Sequence, residues 1–107
     1  MPIERIDFDI YQLKKIPDNH DFLFSSLELL TKYNMKVELN RYEKIYEGST
    51  ENTKDIINIL DNIYRWSNTT IHPNDYKGHS ISVSDIIMIN NEYWYCDSFG
   101  WEKINIK

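Results

Sequence analysis

Asp85-Ile86-Ile87-Met88-Ile89-Asn90-Asn91-Glu92-Tyr93-Trp94-Tyr95-Cys96-Asp97 is the stretch whose reading decides the fold. Two apolar runs flank an Asn-Asn pair. Asparagine accepts positive φ, so Asn90-Asn91 makes a two-residue turn and the runs form an antiparallel hairpin. That turn sets the register: Ile89 opposes Glu92, Met88 opposes Tyr93, Ile87 opposes Trp94 and Ile86 opposes Tyr95. Side chains alternate between the faces of a sheet. Ile87, Trp94 and Cys96 therefore share one face, and Ile86, Met88, Tyr93 and Tyr95 share the other. Both faces are apolar or aromatic, so the hairpin is either covered on both sides or displays an aromatic face for a purpose. Ser98 to Gly100 reads as a second turn and Trp101 to Ile106 as a third strand, completing a C-terminal meander.

Upstream, Ile6, Phe8 and Ile10 alternate with Asp7, Asp9 and Tyr11, a half-buried strand that ends near Leu13. Lys14 to Asn19 holds Pro17 and reads as a loop. Ser25 to Tyr33 predicts a short helix stopped by Asn34, a residue that tolerates the left-handed conformation. Arg41 to Glu47 predicts a strand with Tyr42, Lys44 and Tyr46 on one face, Ile45 on the other, and Gly48 as its end. Ile56, Leu60, Ile63 and Tyr64 carry helical spacing. Thr53 is the expected cap of that helix, Asp55 lies in its first turn, and it ends near residues 66–68. A polar loop around Pro73 follows. The expected architecture is a single α+β domain over residues 1–107, with a mixed or antiparallel sheet of about four or five strands packed by two main helices.

Composition sets limits on function. One chain of 107 residues fits one domain. Its 41% hydrophobic content is enough for one core rather than a disordered chain. A net charge of −5 argues against direct nucleic-acid binding, which needs Lys and Arg to displace phosphate counterions. The same sign suits a basic protein partner. Cys96 is the single cysteine, so no intrachain disulfide forms and a reducing cytoplasm is expected, that of a host if the chain is phage-encoded. The N-terminus shows no signal segment, and the longest aliphatic run, Ile86 to Ile89, is far too short to span a membrane.

The residues that carry chemistry are few. His20, His72 and His79 lack the spacing of a metal site, so no metal and no cofactor are expected. Cys96 with His79 and Asp97 names a nucleophile, a base and an orienter, but a mid-strand cysteine between aromatics reads as packed and inert. Asp85 and Asp97 should point to opposite faces and so make no acid–base pair. Tyr93, Trp94, Tyr95, Phe99 and Trp101 could stack bases, yet Gly78 to Glu102 contains no Lys or Arg. The segment Gly78-His79-Ser80-Ile81-Ser82-Val83-Ser84-Asp85 is the most distinctive. Gly78 is expected to reverse the loop with positive φ, and the three serines to point together at the strand ending in Asp97. Asp85 is expected to bond turn amides on the other side, and the segment as a whole to fix local backbone.

Gly78 to Ile86 and Tyr95-Cys96-Asp97-Ser98-Phe99-Gly100-Trp101 resemble the YodL-like family of bacterial and phage proteins, whose pattern runs Gly-His-Ser-Leu-Ser-Val-Ser-Asp-Val and then Tyr-Cys-Asp-Ser-Phe-Gly-Phe. Ile10 to Lys14, Val37 to Gly48 and His72 to Lys77 share the resemblance. It implies a domain of mobile elements and phages but carries over no catalytic residue or cofactor. The resulting expectation is a non-enzymatic protein-binding module, an inhibitor of a host or defence protein of the anti-restriction or anti-CRISPR type, with an acidic surface facing a basic nucleic-acid-binding effector. Tyr76, His79, Ser82, Asp85, Tyr93, Tyr95, Asp97 and Trp101 are its expected binding residues. A small enzyme or ligand-binding domain using His79, Asp85 and Asp97 is the alternative, and a structural accessory domain a third.

Overall fold

The computed structural model describes residues 3–106. Five strands and two α-helices follow in the order β1 (Arg5–Leu13), α1 (Leu27–Lys32), β2 (Tyr42–Glu51), α2 (Ile56–Thr69), β3 (Ile86–Ile89), β4 (Glu92–Asp97) and β5 (Gly100–Ile104). The strands form one antiparallel sheet in the order β2-β1-β3-β4-β5. The β3–β4 register is the one the Asn-Asn turn dictates, Ile86 opposite Tyr95 through Ile89 opposite Glu92. Asn90 and Asn91 both take positive φ, 52° and 63°. The third strand of the meander begins at Gly100 and stops at Ile104.

Alternation along β1 and the hairpin divides the apolar residues into two cores. Phe8, Ile10, Ile87, Ile89 and Cys96 pack against Ile59, Leu60 and Ile63 of α2. Leu13, Ile86 and Tyr95 pack on the opposite face against Phe22, Leu30 and Tyr42. The hairpin is thus covered on both sides, α2 lying over one face and α1 with the 3-10 turn Pro17–Phe22 over the other. Each chain crossing fills both layers, because successive residues of a strand face opposite ways.

Three local expectations are corrected. Asp55, not Thr53, caps α2: its Oδ1 accepts the Asn58 amide at 3.2 Å, while the Thr53 hydroxyl donates to the Asn58 side chain. A carboxylate at the positive helix end also gains from the macrodipole. The second strand does not end at Gly48 but runs on to Glu51. Gly48 stands opposite Phe8, and a Cβ there would lie 2.6 Å from the Tyr46 ring and 2.9 Å from the Phe8 ring, so glycine admits two aromatic rings rather than stopping the strand. Finally, Tyr46 does not share a face with Tyr42. Ile10 pairs with Tyr46 and Tyr11 with Lys44, which leaves Ile45 as an extra residue in β2. This bulge reverses the alternation. Ile45 and Tyr46 consequently both join the α2 core, and Tyr42 stays with the other. The carbonyl of Ile45 is taken by the Lys77 amide at 2.9 Å, so the loop after α2 ties onto this edge.

Candidate functional site

The segment that carries the distinctive serines lies between two polar arrangements, one on each face of the sheet. On the α2 face the centre is Gln12. It continues the inward series Phe8, Ile10, so a polar side chain is buried among apolar ones and must be satisfied. Its Oε1 accepts the His79 amide at 3.1 Å, and its Nε2 donates to the His79 carbonyl at 2.8 Å and to Asp85 Oδ2 at 3.0 Å. Asp85 Oδ2 also accepts the Ser82 amide at 2.9 Å, and the Tyr76 hydroxyl donates to the His79 carbonyl at 2.6 Å. His79 Nδ1 lies 2.7 Å from the Ser80 carbonyl and 3.3 Å from Gln12 Nε2. Gly78 does not reverse the chain with positive φ; its missing Cβ would stand 2.0 Å from Gln12 Oε1. The glycine is there so that the loop can reach Gln12.

Asp85 is 2% exposed. Burial pushes its carboxyl up to about 7, against the opposing pull of the Ser82 amide, His79 and Gln12. Burial first and Asp85 second raise the Tyr76 phenol well above its usual range. Asp85 therefore bonds a turn amide as expected, with Gln12 as a partner that motif reading missed. The available signal was a glutamine at an inward position of an alternating strand.

On the α1 face the serines do not line up. Ser84 takes φ 89°, its amide and that of Asp85 are bonded to Cys96 and Ser82 carbonyls respectively, and the Cys96 amide returns to Asp85. Ser84 and Asp85 thus oppose the single residue Cys96, which breaks the extended geometry that would have aimed Ser80, Ser82 and Ser84 together. Ser80 Oγ instead donates to the Ser67 carbonyl, Ser82 Oγ is buried without a partner, and Ser84 Oγ accepts the Phe24 amide at 3.2 Å. No Ser84–Asp97 bond forms. Asp97 Oδ1 accepts the amides of Leu27 at 3.1 Å and Ser98 at 2.9 Å, and the Tyr95 hydroxyl donates to the Ser25 carbonyl at 2.5 Å. Ser84, Tyr95 and Asp97 together clamp the backbone from Phe24 to Leu27. Phe24 itself sits at φ 58° and is 64% exposed.

The remaining expected residues lie at the outer strands. Tyr93 is half-buried beside Tyr11 and floors a groove of about 930 Å³ with Val37, Ile104 and Ile106. Trp101 is half-buried; its Nε1 donates to Asp61 Oδ1 at 3.1 Å and its ring meets Tyr64 edge-on. These three and Asp97 line a cleft of about 230 Å³ under the β4–β5 turn. At that turn Phe99 is 101% exposed. Cys96 is buried, and burial with Asp85 and Asp97 nearby pushes its thiol up to about 12. His79 and Asp85 are brought together through Gln12, but Asp97 is bonded to the α1 layer and stands apart from them. His72 packs flat on Tyr76, ring centroids 4.0 Å apart, with Nε2 on the Ser67 carbonyl. Among the described residues no three His, Cys, Asp or Glu side chains converge as a ligand set, and no helix is long and apolar enough to cross a membrane.

This arrangement falls on segments that comparison with other proteins also aligns. The family model of the YodL-like domain matches residues 7–106. Uncharacterized protein R785 of Acanthamoeba polyphaga mimivirus is 29% identical over 113 aligned residues, covering 94% of this chain and 93% of that protein. No solved structure matches the chain. With the match running from the first strand through the last and across both polar arrangements, the chain belongs to the YodL-like domain family.

Proposed function

We propose that this domain is a non-enzymatic protein-binding module that engages its partner through the β4–β5 turn. One observation carries the reading: Phe99 is fully exposed on a turn whose backbone is tied by hydrogen bonds at Asp97. Asp97 Oδ1 fixes the Ser98 amide, Asp97 is anchored to Leu27, and Gly100 supplies φ 93°. A phenyl ring in water adds nothing to the core, and presenting it on a pre-ordered turn lowers the entropy cost of docking. The cleft under the same turn is lined by Trp101, Tyr64 and Asp61. An apolar pocket bordered by Lys or Arg is the complement of that surface, and the net charge of −5 steers the same class of partner.

Inhibition of a host or defence protein, a basic nucleic-acid-binding effector, is the activity that best suits a small acidic module of this kind. A relative encoded by a giant virus fits that setting. The enzymatic alternative at His79, Asp85 and Asp97 is disfavoured on geometry. Asp85 Oδ2 is committed to two donors, Asp97 Oδ1 to two others, and the buried Cys96 thiol is held protonated.

The test compares the wild-type domain with Phe99→Ser as bait in the natural host. The expected result is a basic partner captured at about 0.1 M salt, weakened at about 0.5 M, where the Debye length has shrunk to a few ångströms. Phe99→Ser should lose that partner at least tenfold with an unchanged melting temperature, since surface changes away from packed groups hardly move stability. Equal capture by both baits, or capture of nothing by either, would sink the reading.

A further inference from the structure

We propose that the cleft between β2 and α2, walled by Phe8, Tyr46 and Trp66 and headed by Arg5, binds a small aryl carboxylate. The cleft holds about 260 Å³, and its apolar lining is those three rings with Ile63. The rings pack on one another. Trp66 stacks on Tyr46 with centroids 5.4 Å apart and planes 25° apart, while Phe8 meets Tyr46 tilted at 6.1 Å and Trp66 edge-on at 6.5 Å. Tyr46 and Trp66 are half-buried, so part of each ring faces the cleft instead of the core. The bulge at Ile45 is what turned Tyr46 to this side. Aromatic walls gain most from a flat ring that can stack or meet them edge-on. The volume lies below the roughly 300–1,000 Å³ of drug-sized ligand sites, which limits the occupant to one ring with a short arm.

Charge decides the sign of the ligand. Among the described residues that line this cleft Arg5 is the charged one, in a chain whose net charge is −5. A guanidinium at the head of an otherwise uncharged cleft selects an anion and rejects a cation. Arg5 is also held in place. Its Nε donates to Ser49 Oγ at 3.1 Å, and its Nη2 donates to the Ser49 carbonyl at 2.8 Å. Both bonds fall on one edge of the planar fork. The other edge keeps an N–H on each terminal nitrogen, the pair that grips both oxygens of a carboxylate. Among the described residues the ion pairs belong to Arg41, Lys44, Lys54 and Lys103, and no carboxylate neutralises Arg5. Ser49 therefore orients the fork in advance, which lowers the entropy cost of binding. An exposed ion pair alone contributes little. Ring burial supplies most of the affinity, and Arg5 supplies the preference for an acid over a neutral ring.

Titration of the full chain with phenylacetate, followed by two-dimensional amide NMR, tests the site. The amides of residues 48–50 and the indole N–H of Trp66 should shift saturably, with a dissociation constant on the order of 1 mM, the scale of a one-ring ligand. Phenylacetamide keeps the ring without the charge and should bind about tenfold more weakly. Cyclohexylacetate keeps the charge without the flat ring and should bind several-fold more weakly. Arg5→Gln, at an exposed position, should lower phenylacetate affinity about tenfold at an unchanged melting temperature. Thr50→Phe places a ring that strands accept on the cleft wall, and should abolish the shifts by filling the space. Phe99→Ser should bind phenylacetate as wild type, which separates this cleft from the proposed partner turn. No saturable shift up to about 20 mM, shifts centred on another part of the chain, phenylacetamide binding as tightly as the acid, or an Arg5→Gln protein that binds as wild type would overturn the proposal.

Discussion

Asp85 shows most directly how one residue's environment becomes a measurable property. Its carboxyl is raised by burial to about 7 from an ordinary value of 3.8. Between those values the unfolded chain has released the proton and the native chain still holds it. The native state binds more protons, so this group's contribution makes stability fall as pH rises from about 4 to about 7, and level off above. Asp85→Asn removes that slope. Both hydrogen bonds end on the single atom Oδ2, so an asparagine carbonyl can accept them both. Denaturant titrations of the two proteins should show wild type losing ground to Asp85→Asn steadily across that window, with the variant the more stable at pH 8. A constant difference across the window would contradict the assigned burial cost. Asp85→Ala, in contrast, strands the Ser82 and Gln12 donors and should destabilise at every pH by about 1–3 kcal/mol per unsatisfied group.

At the scale of elements, α1 is held from outside itself. Six residues are too few to form a helix unaided. Ser26 caps it internally through the Leu29 amide, and Asp97, two layers of sequence away, accepts the Leu27 amide that the helix leaves unpaired. Sequence reading aimed Ser84 at the strand that ends in Asp97; the structure instead gives Ser84 to the Phe24 amide and Asp97 to the backbone amides of Leu27 and Ser98. Asp97→Asn weakens a charge-assisted bond, and Ser84→Ala frees the Phe24 amide. Each should cost about 1–3 kcal/mol in chemical denaturation. Hydrogen exchange should become faster over residues 24–30 while the strand amides of β1 and β3 stay protected. Uniform loss of protection across the sheet, or no loss at all, would show that the clamp does not hold this element.

For the whole molecule, the consequence of covering both sheet faces is that interior side chains keep little contact with solvent, and Cys96, at the inner end of the cleft under the β4–β5 turn, is 6% exposed. Cys96 tests that. It lies between the sheet and α2 in the larger core, with a thiol pushed up to about 12. A thiol reagent should label it slowly at pH 7.5, and the rate should rise with denaturant in step with global unfolding. Cys96→Ser should cost about 1–3 kcal/mol by burying a hydroxyl. Labelling within seconds in native buffer would mean that the β4 end opens independently of the core.

What the sequence by itself determined is whatever rests on local chemistry and period. The Asn-Asn turn dictates the β3–β4 register, because positive φ at two adjacent residues leaves one short antiparallel connection. Alternation in β1 and the hairpin puts apolar residues on both faces of the sheet, which the two cores then cover, and helical spacing from Ile56 onward places α2. Tertiary structure alone decided the rest. Strand order put β1 between β2 and β3, which brought Gln12 to His79 across 67 residues. The bulge at Ile45 moved Tyr46 to the other face, and Gly48 and Gly78 are explained by side chains that approach them from distant segments. Asp97 found Leu27, and Ser84 found Phe24, across separations of 70 and 60 residues. Such partners are chosen by packing, since a buried polar group must take whichever donor or acceptor the assembled layers bring within reach, and no local pattern encodes which one that is.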